Sequence, residues 1–439
     1  MASMITMSLY HLVDTFWVAK LGYQAIAALT ITFPYFIVII SVGVGTGVGA
    51  NALASRRFGE RNVAAANQAA GQVFPLTAVF GVIFIVAAAF FAEPIMTLCG
   101  ATPDIMDYST QYLVVLGWAA PFMLFRIITG NVLRASGDAI RPMIFYIVGT
   151  TTNIILDPFF IFGWGPFPEM GVRGAALATV IASLLSAGLS FYYIVGRKSV
   201  YRLKLLDLKP NLPIIRDIYR VGLPSMLMEL TESIVFTLFN RVVSGFGSLA
   251  LAALGVAIRI ADMAFMPIIG ASHGLLPIVG FCFGAHLWDR LWRAVRLASI
   301  GLVLLLGVAT VVLEILAPQT ISIFSKEPEL LEIAIPCMRI FLSTLILIGP
   351  AIMIITTFQG LSKGKEAMFL SLVRQFIFFV PLLYILRHFW GLTGVWWSLP
   401  LSDGLSFVVS ILWIYREYRV QQRSGLWDTP PVTSTELGR

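Results

Sequence analysis

The chain has 439 residues, 58% of them hydrophobic and only 12% charged, with a formal net charge of +7. That charged share is about half the soluble average of roughly 25%, which excludes an ordinary soluble enzyme. No soluble segment is long enough for a basic nucleic-acid face, and no GxxxxGK phosphate loop is present to suggest an ATPase.

Apolar runs of about 18 or more residues recur along the whole chain and predict an all-α, polytopic membrane protein. Six spans are expected at 1–21, 30–53, 69–92, 112–133, 143–163 and 174–195. Six more follow at 221–244, 253–283, 293–316, 337–358, 367–386 and 392–414. No basic stretch or small-residue cleavage pattern precedes the first run, so no removable signal peptide is expected. The domains are then an N-terminal lobe (1–195), a basic cytoplasmic linker (196–220), a C-terminal lobe (221–418) and a disordered tail (419–439).

In chain order, the first span carries Tyr10 and Asp14, one helical turn apart on one face. The fifth carries Asn153 and Asp157 at the same spacing, with Pro158 loosening the ladder beside them. A carboxylate at the centre of a membrane helix costs roughly 2.5–3.5 kcal/mol, so an acid, an amide and a proline together suggest a binding site. The bland alternative is an acid near the membrane edge beside a structural kink. Glu229 and Glu232 share a face of the seventh span and are candidates for substrate or proton binding. Arg259 and Asp262 in the eighth are expected to form an intrahelical ion pair. Arg374 in the eleventh span should snorkel or seal, and Asp403 in the twelfth should partner it or the backbone rather than a cation. His11, His273, His286 and His388 do not cluster, and Cys99, Cys282 and Cys337 lack paired spacing, so neither a metal site nor a disulfide is expected.

Loop charge gives the orientation. Arg56, Arg57, Arg61, Arg134, Arg141 and the basic run from Arg197 to Arg220 fall on one side, as do Arg290, Lys363, Lys365 and Arg416. The opposite loops are acid-rich, with Glu93, Asp104, Asp107, Glu169, Glu327 and Glu329. By the positive-inside rule the first side is cytoplasmic, and an even span count places both termini there.

The two halves repeat. Ala27-Ala-Leu-Thr-Ile matches Ala252-Ala-Leu-Gly-Val, and Arg134-Ala-Ser-Gly-Asp matches Leu361-Ser-Lys-Gly-Lys. Gly171-Val-Arg-Gly-Ala likewise matches Gly391-Leu-Thr-Gly-Val. Six spans separate each pair, so this is a parallel repeat about an axis along the membrane normal, which favours transport.

Leu12-Val-Asp-Thr, Asn153-x-x-x-Asp157-Pro158, Gly171-Val-Arg-Gly-Ala-Ala-Leu-Ala-Thr179 and Gly222-Leu-Pro224, in this order, resemble the multidrug and toxic compound extrusion (MATE) family. The resemblance runs from about Ser8 to Tyr418. It implies twelve helices in two pseudo-symmetric six-helix lobes and outward export driven by a Na+ or H+ gradient. Two departures stand out: no proline precedes Pro34, and the tenth span has no acid. The second favours the DinF-like branch, with its cation site in the N-terminal lobe.

By the same resemblance Asp14, Asn131, Asn153, Asp157 and Thr179 come together in that lobe. Carboxylate, amide and hydroxyl oxygens suit a hard cation such as Na+, and the two carboxylates suit proton sharing equally well. The expected function is a secondary active antiporter in a prokaryotic cell membrane, working as a monomer without a cofactor or a nucleic-acid partner. It would export amphipathic, cationic small molecules through the lipid bilayer. The alternatives are a lipid-intermediate or metabolite flippase and, less favoured, an integral-membrane enzyme.

Overall fold

The computed structural model describes residues 17–18, 20–21, 23–196, 198–322 and 327–424. The first predicted span, with Tyr10 and Asp14, lies almost wholly outside them, as does the end of the tail. Among the described residues regular structure is helical throughout. The physical reason is that helices satisfy every backbone polar group internally, which lipid demands.

Eleven spans are described. The second to sixth are Tyr23–Gly59, a helix pair Val63–Gly71 and Val73–Phe90, Pro103–Ala135, Ile140–Phe162 and Val172–Val195. The seventh to ninth are Leu212–Ser244, Ser248–Gly284 and Trp288–Ile315. The tenth is broken: Pro328–Leu342 and Leu345–Gly360 meet at a 45° bend, so the span begins earlier than the apolar run predicts. The eleventh and twelfth run from Gly364 to Arg423 and are separated at Gly391, whose backbone is not helical (φ 56°, ψ −133°).

The chain divides into two compact units, residues 1–58 with 62–226 and residues 59–61 with 227–439. Leu113, Leu124, Ile128, Ile161, Tyr201 and Ile218 belong to the core of the first. Ile268, Val279, Leu291, Leu306, Cys337 and Val395 belong to that of the second. Residues 196–220 belong to the first unit, and the division falls inside the seventh span, two residues after Pro224.

That linker is a strap tied to the first unit. The buried Tyr201 hydroxyl donates to the Val132 carbonyl (2.7 Å), and the Arg202 amide donates to Asn67 Oδ1 (3.1 Å). Gln72, 1% exposed, donates from Nε2 to the Lys209 carbonyl (3.0 Å) and accepts the Asn211 amide at Oε1 (3.0 Å).

The internal repeat is written in the backbone. Arg61 and His286 both have left-handed φ (56° and 57°), each just past a helix end. Gly137 and Ser362 form a second such pair (88° and 60°), at the same separation in the chain. All four close Schellman turns: Asn62 N donates to Arg57 O, Leu287 N to Cys282 O, Asp138 N to Leu133 O and Lys363 N to Phe358 O. The equivalent of Gly137 is therefore Ser362, not Gly364. The sequence match at this turn is therefore two residues out of register: it pairs glycine with glycine, where the backbone pairs Gly137 with Ser362.

Candidate functional site

Asp157 is fully buried in the fifth span, and Asn153, 2% exposed, stands one turn before it on the same face. The Asn153 side-chain amide donates to Thr179 Oγ1 of the sixth span (3.4 Å), and that hydroxyl donates in turn to the Ala175 carbonyl (3.2 Å). Asn153 Oδ1 is buried and accepts no hydrogen bond. Pro158 has no N–H, so the Ile154 carbonyl loses its helical donor beside the carboxylate. Close packing supports this pair of spans: a Cβ at Gly174 would fall 2.3 Å from the Phe160 carbonyl. The result is a buried, oxygen-rich contact between the fifth and sixth spans, with spare acceptor capacity at Asn153 Oδ1.

Asn131 does not join it. A Cβ at its neighbour Gly130 would lie 3.6 Å from Pro142 Cβ, at the start of the fifth span. Asp157 is about 15 residues further along that helix, roughly 22 Å at 1.5 Å per residue. Asn131 instead donates to the Ile127 carbonyl (3.0 Å) and lies under Gly47, where a Cβ would come within 2.5 Å of its amide nitrogen. It is an interhelical packing residue. Span direction already held this signal, since Asn131 precedes the basic Arg134 turn while Asp157 nears the opposite end.

The second unit holds a separate charged cluster. Arg374 Nε donates to Asp403 Oδ1 at 2.7 Å, with the carboxylate side chain 2% exposed. Arg374 stands in a π-helical segment, Val373–Phe379, a widened turn of the kind found at functional sites. Arg374, Asp403, Ser406, Ser410, Ile348 and Ile355 line a small pocket, and Asp403 Oδ2 has no hydrogen-bond partner. Glu232 is exposed on the seventh span, three residues after Glu229 on the same face.

Arg259 and Asp262 make no ion pair with one another, although they stand one turn apart on the eighth span. Two further polar links had no sequence signal: Lys363 Nζ to Glu417 Oε2 (2.6 Å), and the hydroxyls of Ser272 and Thr356 (2.7 Å). Among the described residues no three His, Cys, Asp or Glu side chains gather as a metal site.

The MatE family model matches residues 1–159 and 224–385. The multidrug export protein MepA of Staphylococcus saprophyticus is 25% identical over 408 residues, covering 93% of this chain and 89% of the relative. MepA of a Staphylococcus aureus strain is 25% identical over 392 residues, covering 89% and 85%. Among solved structures, a MOP superfamily transporter from Pyrococcus furiosus superposes with TM-score 0.88 at 29% identity, over 98% of this chain and 95% of its own. A MATE transporter in complex with MaL6 gives TM-score 0.91 at 28% identity, over 96% and 94%. The fold is accordingly the all-α, twelve-helix, two-lobe fold of these transporters.

Proposed function

The chain belongs to the MatE family, and we propose that it is a secondary active exporter of amphipathic, cationic small molecules, coupled to inward movement of Na+ or H+. The names of the MepA relatives support the export of drugs. The observation that carries the coupling is the Asp157 carboxylate, wholly buried one turn from the unused Asn153 oxygen and its Thr179 partner.

In this reading Asp157, Asn153, Thr179 and Asp14 form the cation or proton site of the N-terminal lobe. Glu229, Glu232 and the Arg374–Asp403 pair serve substrate binding or gating in the other. The protein works as a monomer in a prokaryotic cell membrane with both termini cytoplasmic. Moving one charge through 100 mV supplies about 2.3 kcal/mol. At about 1.4 kcal/mol per tenfold, that sustains roughly a 50-fold gradient without ATP.

A second reading has its own support. The Pyrococcus transporter is described by a binding pocket of reversed polarity that suggests a different function, so a lipid-intermediate or metabolite substrate fits the same fold. Ethidium efflux from proteoliposomes, with Na+ and H+ gradients imposed separately, decides between them. Efflux that follows one gradient supports the antiporter. Efflux indifferent to both removes it.

A further inference from the structure

We propose that the strap between the sixth and seventh spans is a lipid-binding element, which seats its leucines in the cytoplasmic leaflet and holds the headgroup of an anionic phospholipid.

Depth is the first argument. Gln72 stands at the joint between Val63–Gly71 and Val73–Phe90. The latter helix has 18 residues. At 1.5 Å each it spans about 27 Å, close to the roughly 30 Å of a hydrocarbon core. Hydrocarbon therefore begins near Gln72. The Gln72 side chain binds the carbonyls of Asp207 (3.3 Å) and Lys209 (3.0 Å), which fixes the strap at that level. Gly71 presses so close to the strap that a Cβ would lie 2.2 Å from the Asp207 carbonyl.

Exposure is the second. Leu205 and Leu206 open a single 3₁₀ turn and are 87% and 70% exposed, and Leu212 is 77% exposed. The turn is held rigid by Asp207, which accepts the Lys204 amide at 2.8 Å. Three leucines are thus kept uncovered by protein at the depth where headgroups give way to acyl chains.

Charge names the lipid. Lys204 and Lys209 flank the leucines, and Lys198, Arg216 and Arg220 are also exposed on the strap and the helix that follows it. Against them stand Asp207, occupied in its own turn, and Asp217. Leucines between cations are the pattern of an interfacial anchor, and a basic loop beside the cytoplasmic leaflet selects anionic headgroups.

The test places an NBD fluorophore at Leu206→Cys, in a Cys99→Ser background, in phosphatidylcholine–phosphatidylglycerol liposomes. Brominated phosphatidylglycerol is expected to quench it at least about twofold more than brominated phosphatidylcholine at equal mole fraction. Adding Lys204→Gln and Lys209→Gln should equalise the two lipids while quenching persists. Equal quenching by both lipids in the parent overturns the headgroup assignment. Quenching by aqueous iodide and by neither bromolipid overturns the anchor itself.

Discussion

Gly171 and Gly391 adopt one backbone conformation, φ 56° with ψ −129° and −133°, where each half of the chain turns into its last span. Beyond its own stretch of backbone, no heavy atom lies within 4 Å of a Cβ built at either, so the obstacle to a side chain there is backbone strain, not crowding. Gly171→Ala and Gly391→Ala should each cost about 1–3 kcal/mol. Both should appear as a lowered Tm of the purified protein. Gly188→Ala, in a helix interior with open space, is the control and should stabilise by about 0.5–1 kcal/mol.

The Gly137 and Ser362 turns make a paired prediction. Ser362 holds φ 60° where its counterpart Gly137 has φ 88°, so serine bears a left-handed penalty that glycine does not. Ser362→Gly should raise stability by about 1–2 kcal/mol, and Gly137→Ser should lower it by a similar amount. If the two turns were not equivalent, the effects would not mirror one another in thermal melts.

These turns also show what was legible in the chain. Spans and their number of repeats were readable because lipid forces long apolar helices and tolerates little else. The motif at Gly171 and Gly391 was readable because only glycine suits that conformation. The Arg134 turn is matched two residues out of register because its counterpart is closed by Ser362, which carries no turn signal, and the Arg61 and His286 turns escape the sequence match for the same reason. Asn131 was misplaced for another reason: its residue type matched the site, while its depth along the helix did not. The π-helical turn at Arg374 and the bend between Leu342 and Leu345 leave no period in the sequence.

The Arg374–Asp403 pair predicts an asymmetry between single and double variants. Removing one partner leaves a charge buried and unpaired, which typically costs 3–5 kcal/mol, whereas replacing both with apolar groups is often neutral. Arg374→Met and Asp403→Leu should each lower the Tm strongly, and the double variant should recover most of the loss. If the pair also serves transport, the double variant will be stable yet deficient in ethidium efflux. A stable and fully active double variant would assign the pair to structure alone.

Asp157 and Asn131 should separate in function. Asp157→Asn keeps size and shape while removing the charge, so the fold should persist and gradient-driven efflux should fall at least about tenfold. Asn131→Ala should lower the Tm through lost packing under Gly47, and leave the ion dependence of efflux unchanged. Loss of ion dependence in both would mean that Asn131 belongs to the coupling site after all. Proteoliposome efflux against a titrated ion gradient measures the difference.

Cys99 tests orientation. It follows the helix Ala92–Leu98 in a loop that loop charge places outside the cell, and it is partly exposed, whereas Cys282 and Cys337 are 1% and 0% exposed. Burial pushes the Cys99 thiol up, so its thiolate is scarce at neutral pH. Labelling of intact cells by a membrane-impermeant maleimide should therefore be slow at pH 7. It should accelerate as pH rises past the ordinary thiol range of about 8.5. Cys282 and Cys337 should react only after unfolding. Labelling of Cys99 that requires permeabilised cells would invert the topology, moving the basic strap to the outer face and reversing the proposed direction of transport.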